Sequence, residues 1–245
     1  MAAAAASVIL EVWERGLRQP LQRQAVALLA AVTPGAVEAE MAALPLGVRD
    51  SLLFDLRERL FGPELSTLAT CPACGERLEA RFDVSDIRAA AEAPAEGALL
   101  VETGGHSIAV RPPATSDLLA IPDGSDPAAA RALLLDRCVI EARNSAGTLI
   151  DPAALPPEAL PAIAQALAKA DPQALVEIEL PCEGCGVPFK AIFDIASFLM
   201  REIHAWAQQI LREVDLLART YGWSESEVLA LSPVRRAFYL GMAGR

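Results

Sequence analysis

One five-residue pattern occurs twice in the chain, as Cys71-Pro72-Ala73-Cys74-Gly75 and as Cys182-Glu183-Gly184-Cys185-Gly186. A Phe-Asp pair follows each copy, Phe82-Asp83 and Phe193-Asp194, and every one of these landmarks repeats at an offset of 111 residues. Between Cys71 and Asp83, six of thirteen positions are identical at that offset: the two cysteines, Gly75/Gly186, Ala80/Ala191, Phe82/Phe193 and Asp83/Asp194. Apolar character also matches at Leu65/Val176, Val84/Ile195 and Ile87/Phe198. This is the pattern of a diverged internal duplication. Two copies fall short of a solenoid, which needs about three or more stacked units.

A Cys-x-x-Cys-Gly turn suits a soft divalent metal. Two intervening residues let both sulfurs point at one tetrahedral centre, and the glycine lets the backbone fold back with positive φ. Each copy supplies two ligands, whereas a closed structural zinc site takes four. The sequence therefore predicts that Cys71, Cys74, Cys182 and Cys185 share one structural zinc per chain. The separation is unusual: 107 residues lie between Cys74 and Cys182, against about 15–20 in an ordinary zinc ribbon.

Three other readings compete. A disulfide scaffold fits poorly with an odd count of five cysteines and with an N-terminus that lacks a secretory pattern. A redox dithiol normally opens a helix after a strand, and here β-type sequence follows each pair. The third is that the duplication keeps the cysteine pairs without a metal. Cys138, inside the apolar run 133–140, reads as a buried core thiol. His106 and His204 read as structural or exposed groups, not ligands.

Composition narrows the partners. The net charge of −11 opposes nucleic acid as a partner, because phosphate binding needs a basic face. No run of about 18 uncharged apolar residues is present, so no membrane span is expected. The apolar start of the chain runs directly into Glu11-Val12-Trp13-Glu14-Arg15 and reads as the beginning of a helix. With 53% apolar residues the chain can bury a substantial core without disulfides.

The predicted fold class is α+β and helix-rich, with two β-hairpin CxxC knuckles joined into one ribbon-like four-cysteine site. Residues 1–62 read as an N-terminal helical cap, with helices near 7–18, 20–32 and 47–61. Residues 63–150 hold the first hairpin (Leu65–Thr70 and Arg77–Asp83), a second hairpin around Gly104-Gly105, and a helix opened by Asp126-Pro127. Ala89–Gly97 reads as an acidic loop. Residues 151–173 form a proline-rich linker and a helix. Residues 174–245 carry the second knuckle, a long helix over 195–220, and two short helices. Ser224-Glu225-Ser226-Glu227 is a capping box, and Ser232-Pro233 opens the last helix, with Val234, Phe238 and Gly241 or Met242 expected on its inner edge. Asp83 and Asp194 read as helix caps, not as a catalytic pair.

The run from Tyr221 to Leu240, Tyr-Gly-Trp-Ser-Glu-Ser-Glu-Val-Leu-Ala-Leu-Ser-Pro-Val-Arg-Arg-Ala-Phe-Tyr-Leu, resembles the terminal signature of baseplate proteins from contractile phage tails and related contractile injection systems. The twin cysteine knuckles and the opening Val12-Trp13-Glu14-Arg15-Gly16 resemble that group too. The resemblance implies a structural, non-enzymatic subunit, of hub or wedge type. Its partners would be other baseplate, tube or spike proteins, and it would assemble in the cytoplasm into a phage-tail-like particle. The zinc is argued from the cysteines of this chain and not from the family. Trp223, Phe238 and Tyr239 are candidate partner anchors, since Trp and Tyr concentrate at interface centres; the alternative is that they pack on the 195–220 helix. The rival function is a zinc-ribbon adaptor that binds nucleic acid or protein. An enzyme would need a nucleophile, a base and a cleft, and no such constellation stands out.

Overall fold

The computed structural model describes residues 3–89 and 97–243, so most of the expected 89–97 loop lies outside the described residues. Four helices open the chain: α1 (Ala3–Gly16), α2 (Leu21–Val32), α3 (Glu38–Ala43) and α4 (Leu46–Phe61). The short α3 has no counterpart among the helices expected from sequence. It buries no residue, so it leaves no apolar period to find. The apolar stripes of α2 and α4 meet through Ala25, Leu28 and Leu29 on one side and Leu53, Phe54 and Leu56 on the other. Gly62, at φ 90°, ends α4 in a conformation that favours glycine.

Strands β1 (Glu64–Thr70) and β2 (Arg77–Asp83) form the first hairpin, and the one-turn α5 (Val84–Ile87) follows it. Next come β3 (Leu99–Thr103), β4 (His106–Val110), α6 (Thr115–Leu118), α7 (Pro127–Cys138) and β5 (Val139–Arg143). The sheet β3-β4-β5 is antiparallel throughout. Strand β5 has no counterpart among the strands expected from sequence. Five residues show too little alternation to declare a strand. Val139 and Ala142 settle the matter by burying in the same core as Val101, Ile108 and Val110. Helix α8 (Ala159–Ala170) closes that second core with Ile163. Leu155 and Ala159 of the proline-rich stretch also pack into it, so this part of 151–173 is anchored and not a loose tether.

The second hairpin is β6 (Val176–Pro181) and β7 (Pro188–Phe193). It leads into α9 (Ile195–Tyr221), then α10 (Glu225–Ala230) and α11 (Pro233–Ala243). Helix α9 is the spine of the main core. Ile195, Phe198, Leu199 and Ile203 pack against α1, α2, α4 and the bases of both hairpins. Arg57 of α4 ties to it as a fork, giving Nε and Nη2 to the Glu202 carboxylate at 2.9 and 2.8 Å. Farther along, Ala207 and Ile210 meet Ala6, Leu10 and Leu229 in a smaller cluster.

A buried polar seam joins the two cores. Asp171, at the end of α8, accepts a hydrogen bond from the Gly47 N–H at 2.9 Å and so satisfies the amino end of α4. A Cβ at position 47 would stand 1.9 Å from Asp171 Oδ1 and 2.8 Å from the Ala174 backbone nitrogen. Glycine to alanine inside a helix normally stabilises by about 1 kcal/mol. Gly47→Ala is expected to do the opposite, destabilising by about 2 kcal/mol or more in urea unfolding, because both backbone and cap must move. A neutral or stabilised variant would show that α4 and α8 are not in contact through this cap.

Beside it, buried Arg49 gives hydrogen bonds to Asp50 at 2.8 Å, Gln22 at 2.5 Å and Thr115 at 3.1 Å. Burial pushes the Asp50 carboxyl up to about 6; Arg49 opposes the rise, and Asp194 and Asp171 add to it. The ordinary value is 3.8, so the folded chain keeps a proton that the unfolded chain has lost. Stability is then expected to fall as pH rises from about 4 to about 6 and to stay lower above that, by on the order of 3 kcal/mol. Asp50→Asn should flatten this part of a pH series of unfolding free energies. A variant that keeps the full slope would move the effect to another group.

The last helix departs from expectation. The sequence pattern puts Val234, Phe238 and Met242 on the inner edge of α11, yet they are 68%, 72% and 54% exposed. The inner side instead carries Arg236, Tyr239 and Leu240, all partly buried. Arg236 pairs with Glu213 of α9 at 2.6 Å, and Tyr239 meets Tyr221 at the end of that helix. The ion pair and the aromatic contacts of Tyr239 hold the helix on this side, against the apolar pattern.

Candidate metal centre

The two hairpins repeat each other in register as well as in sequence. Leu65 pairs with Phe82 and Thr67 with Ala80; at the 111-residue offset, Val176 pairs with Phe193 and Ile178 with Ala191. The turns match too. Cys71 N–H donates to the Glu76 carbonyl and Gly75 N–H to the Cys71 carbonyl, as Cys182 does to Val187 and Gly186 to Cys182. Gly75 and Gly186 adopt φ 79° and 73°, the positive-φ positions anticipated for the glycine after each pair.

At their bases the hairpins are held by the main core. Phe82 and Phe193, the duplicated landmarks, meet edge to face at 5.6 Å, and Phe193 also contacts Phe54 and Phe198. Their outer halves have no such support. Strand β6 buries no residue, β7 buries only Phe193, β1 only Leu65 and β2 only Ala80. A two-stranded hairpin in water is marginal by itself. At the tips, what the two copies bring together is cysteine.

All four predicted cysteines converge. Their sulfurs lie within 4.8 Å of one another. Cys71 Sγ is 3.8 Å from Cys185 Sγ, and Cys74 Sγ is 3.5 Å from Cys182 Sγ. These contacts are too long for disulfides, which need about 2.05 Å. They are close to the ~3.8 Å that separates sulfurs placed at ~2.3 Å around a tetrahedral zinc. The pairing is crossed: buried Cys71 faces exposed Cys185, and buried Cys182 faces exposed Cys74. The knuckles thus meet tip to tip, each bringing one buried and one exposed sulfur to the cluster. The turns touch beside the cysteines as well: a Cβ at Gly184 would lie at an ordinary contact distance of 3.4 Å from the Glu76 side chain of the other copy.

The four thiols do not share one electrostatic environment. Burial raises the Cys71 thiol, but the backbone N–H groups of Cys74 and Ala73 and the neighbouring cysteines outweigh it and bring it to about 7. Cys74 receives a backbone N–H from Glu76, yet the other thiols push it up to about 12. Four thiols this close do not all ionise without a cation. A divalent ion would supply that charge and keep all four as thiolates.

The remaining candidates lie elsewhere. His204 accepts the Trp13 indole N–H at 3.0 Å and His106 contacts the Gly104 carbonyl, so neither reaches the cysteines. Cys138 is buried as expected and is raised to about 11, first of all by that burial. It forms part of the floor of an apolar groove of about 680 Å³ between α7 and α8. Asp194 caps α9 by accepting from Ala196 and Ser197 N–H at 3.0 and 3.4 Å. Asp83 occupies the equivalent position before α5, where its own N–H is taken by the Asp86 carboxylate at 2.8 Å. Trp223 and Tyr239 are brought together with Tyr221, at ring distances of 4.7 and 4.8 Å from Trp223. Phe238 is not part of that cluster and points to solvent. The exposed α11 stripe is where sequence reasoning fails: the apolar period is visible, but the side it faces is not.

Comparison with known proteins adds one match. The family model described as T4 bacteriophage base plate protein matches residues 18–200. The matched span includes both cysteine knuckles and ends within α9; the terminal run 221–240 lies beyond it. No curated protein and no solved structure matches the chain.

Proposed function

Because the chain belongs to the T4 bacteriophage base plate protein family, we propose that it is a structural subunit of the baseplate of a phage-tail-like contractile injection system. In this reading one zinc, held by Cys71, Cys74, Cys182 and Cys185, clips two hairpins whose bases are already set in the main core. The family match carries the assignment, and the converged cysteines support the clip. The role is mechanical. The metal is a closed structural ion, with all four positions taken by sulfur and no open position for water or substrate. The partners are other baseplate, tube or spike proteins, and the chain joins them in the cytoplasm before the particle is complete.

Deleting the gene in the producing cell tests the assignment. Electron microscopy should then show no complete contractile particles, or tails without finished baseplates. Normal particles in the deletion strain would overturn the proposal.

A further inference from the structure

On the outer side of α11, Val234, Phe238 and Met242 stand one turn apart and are 68%, 72% and 54% exposed. Ala237 and Gly241, also exposed, lie between them and make the stripe continuous. The spacing is that of an amphipathic helix face, the kind that a groove on another protein reads. The opposite side of α11 is already spent on α9, through Arg236 and Tyr239. This second apolar face has no internal use among the described residues.

Size and charge indicate what covers it. A whole phenylalanine buries about 150–250 Å², so the three exposed side chains together offer on the order of 300 Å². A stable free-standing complex buries about 800 Å² per partner. The stripe is therefore too small to hold two copies of the chain together and suits one anchor within a wider contact. Residues 1–194 carry 15 Lys and Arg against 27 Asp and Glu, whereas residues 195–245 carry six Arg against five acids. Helix α11 itself has Arg235 and Arg236 and no acid. Glu213 neutralises Arg236, while exposed Arg235, next to Val234, has no carboxylate partner among the described residues.

We infer that the Val234/Phe238/Met242 stripe, with Arg235 at its rim, docks into an apolar groove edged by Asp or Glu on a different protein of the same particle. The inference rests on the baseplate reading. To test it, Phe238 is replaced by the photo-crosslinker p-benzoylphenylalanine in the full chain, and purified particles are irradiated. Leu100, 68% exposed on β3, serves as the control position. The crosslink from 238 should run to one other protein, at an apolar segment with neighbouring acids, and should be absent from position 100. Phe238→Asp should lower incorporation of the chain into particles at least tenfold, and Arg235→Glu several-fold. Both variants should keep the wild-type melting temperature, since both side chains are exposed.

A crosslink to a second copy of this chain, a crosslink to a basic segment, or wild-type incorporation of Phe238→Asp would overturn the inference and leave the baseplate assignment standing. Absence of the wild-type chain from particles that assemble without it would remove both.

Discussion

Purified under reducing conditions, the full chain is expected to carry one zinc, and Cys71→Ser and Cys182→Ser are each expected to lose all of it. The two cysteines sit in different hairpins, and each has a sulfur of the other copy beside it, at 3.8 and 3.5 Å. A shared site therefore fails as a unit. Elemental mass spectrometry should read about one zinc per wild-type chain and less than a tenth of that in either variant. Structural zinc contributes on the order of 10 kcal/mol of apparent binding energy in small domains. Part of that is spent here on ordering tips that have almost no apolar core. A fall in melting temperature of about 10 °C or more is expected. The double variant should be no worse than either single one, since both remove the same site. Half a zinc in each single variant, with additive losses, would mean two separate sites. No metal in the wild type would remove the clip, and the redox-dithiol reading would then come next.

Phe193→Ala is the second large effect, expected at about 3–5 kcal/mol by urea unfolding. Phe193 is buried to 7% exposure and contacts Phe54, Phe82 and Phe198 at 6.0, 5.6 and 5.2 Å between ring centres. Truncating it opens a cavity where the second hairpin enters the main core. Its duplicate Phe82 is only partly buried, so Phe82→Ala should cost about half as much or less. Neither variant should lose zinc, because the aromatic base and the cysteine tip hold opposite ends of the hairpins. Equal costs would sink this asymmetry, and loss of zinc in Phe193→Ala would show that base and tip are one cooperative unit.

The asymmetry shows how the duplication has been used. In both copies the hairpin runs into a helix, and Val84 and Ile195 are both buried as its first residue. In the first copy that helix is one turn, α5; in the second it is the 27 residues of α9. The copy followed by the long helix supplies the better-buried phenylalanine. The helix-rich α+β class, the two hairpins and the capped helices near the C-terminus are all legible in the amino-acid sequence. Each rests on a local signal: a turn glycine, a cap, or a period in the apolar residues.

The sequence by itself determined which residues could meet: four cysteines on two equivalent turns, two phenylalanines at equivalent positions, and an apolar period along α9. These follow from spacing, because bond geometry and helical or strand periodicity act over a few residues. Only the tertiary structure decided that the two turns meet, with Cys71 beside Cys185 and Cys74 beside Cys182. It alone decided that 139–143 is a strand, that Asp171 caps a helix 124 residues away, and that α11 turns Phe238 outward. In each of these the local preference is weak or divided. Burial against a distant element, or one ion pair such as Arg236 with Glu213, is large enough to settle it.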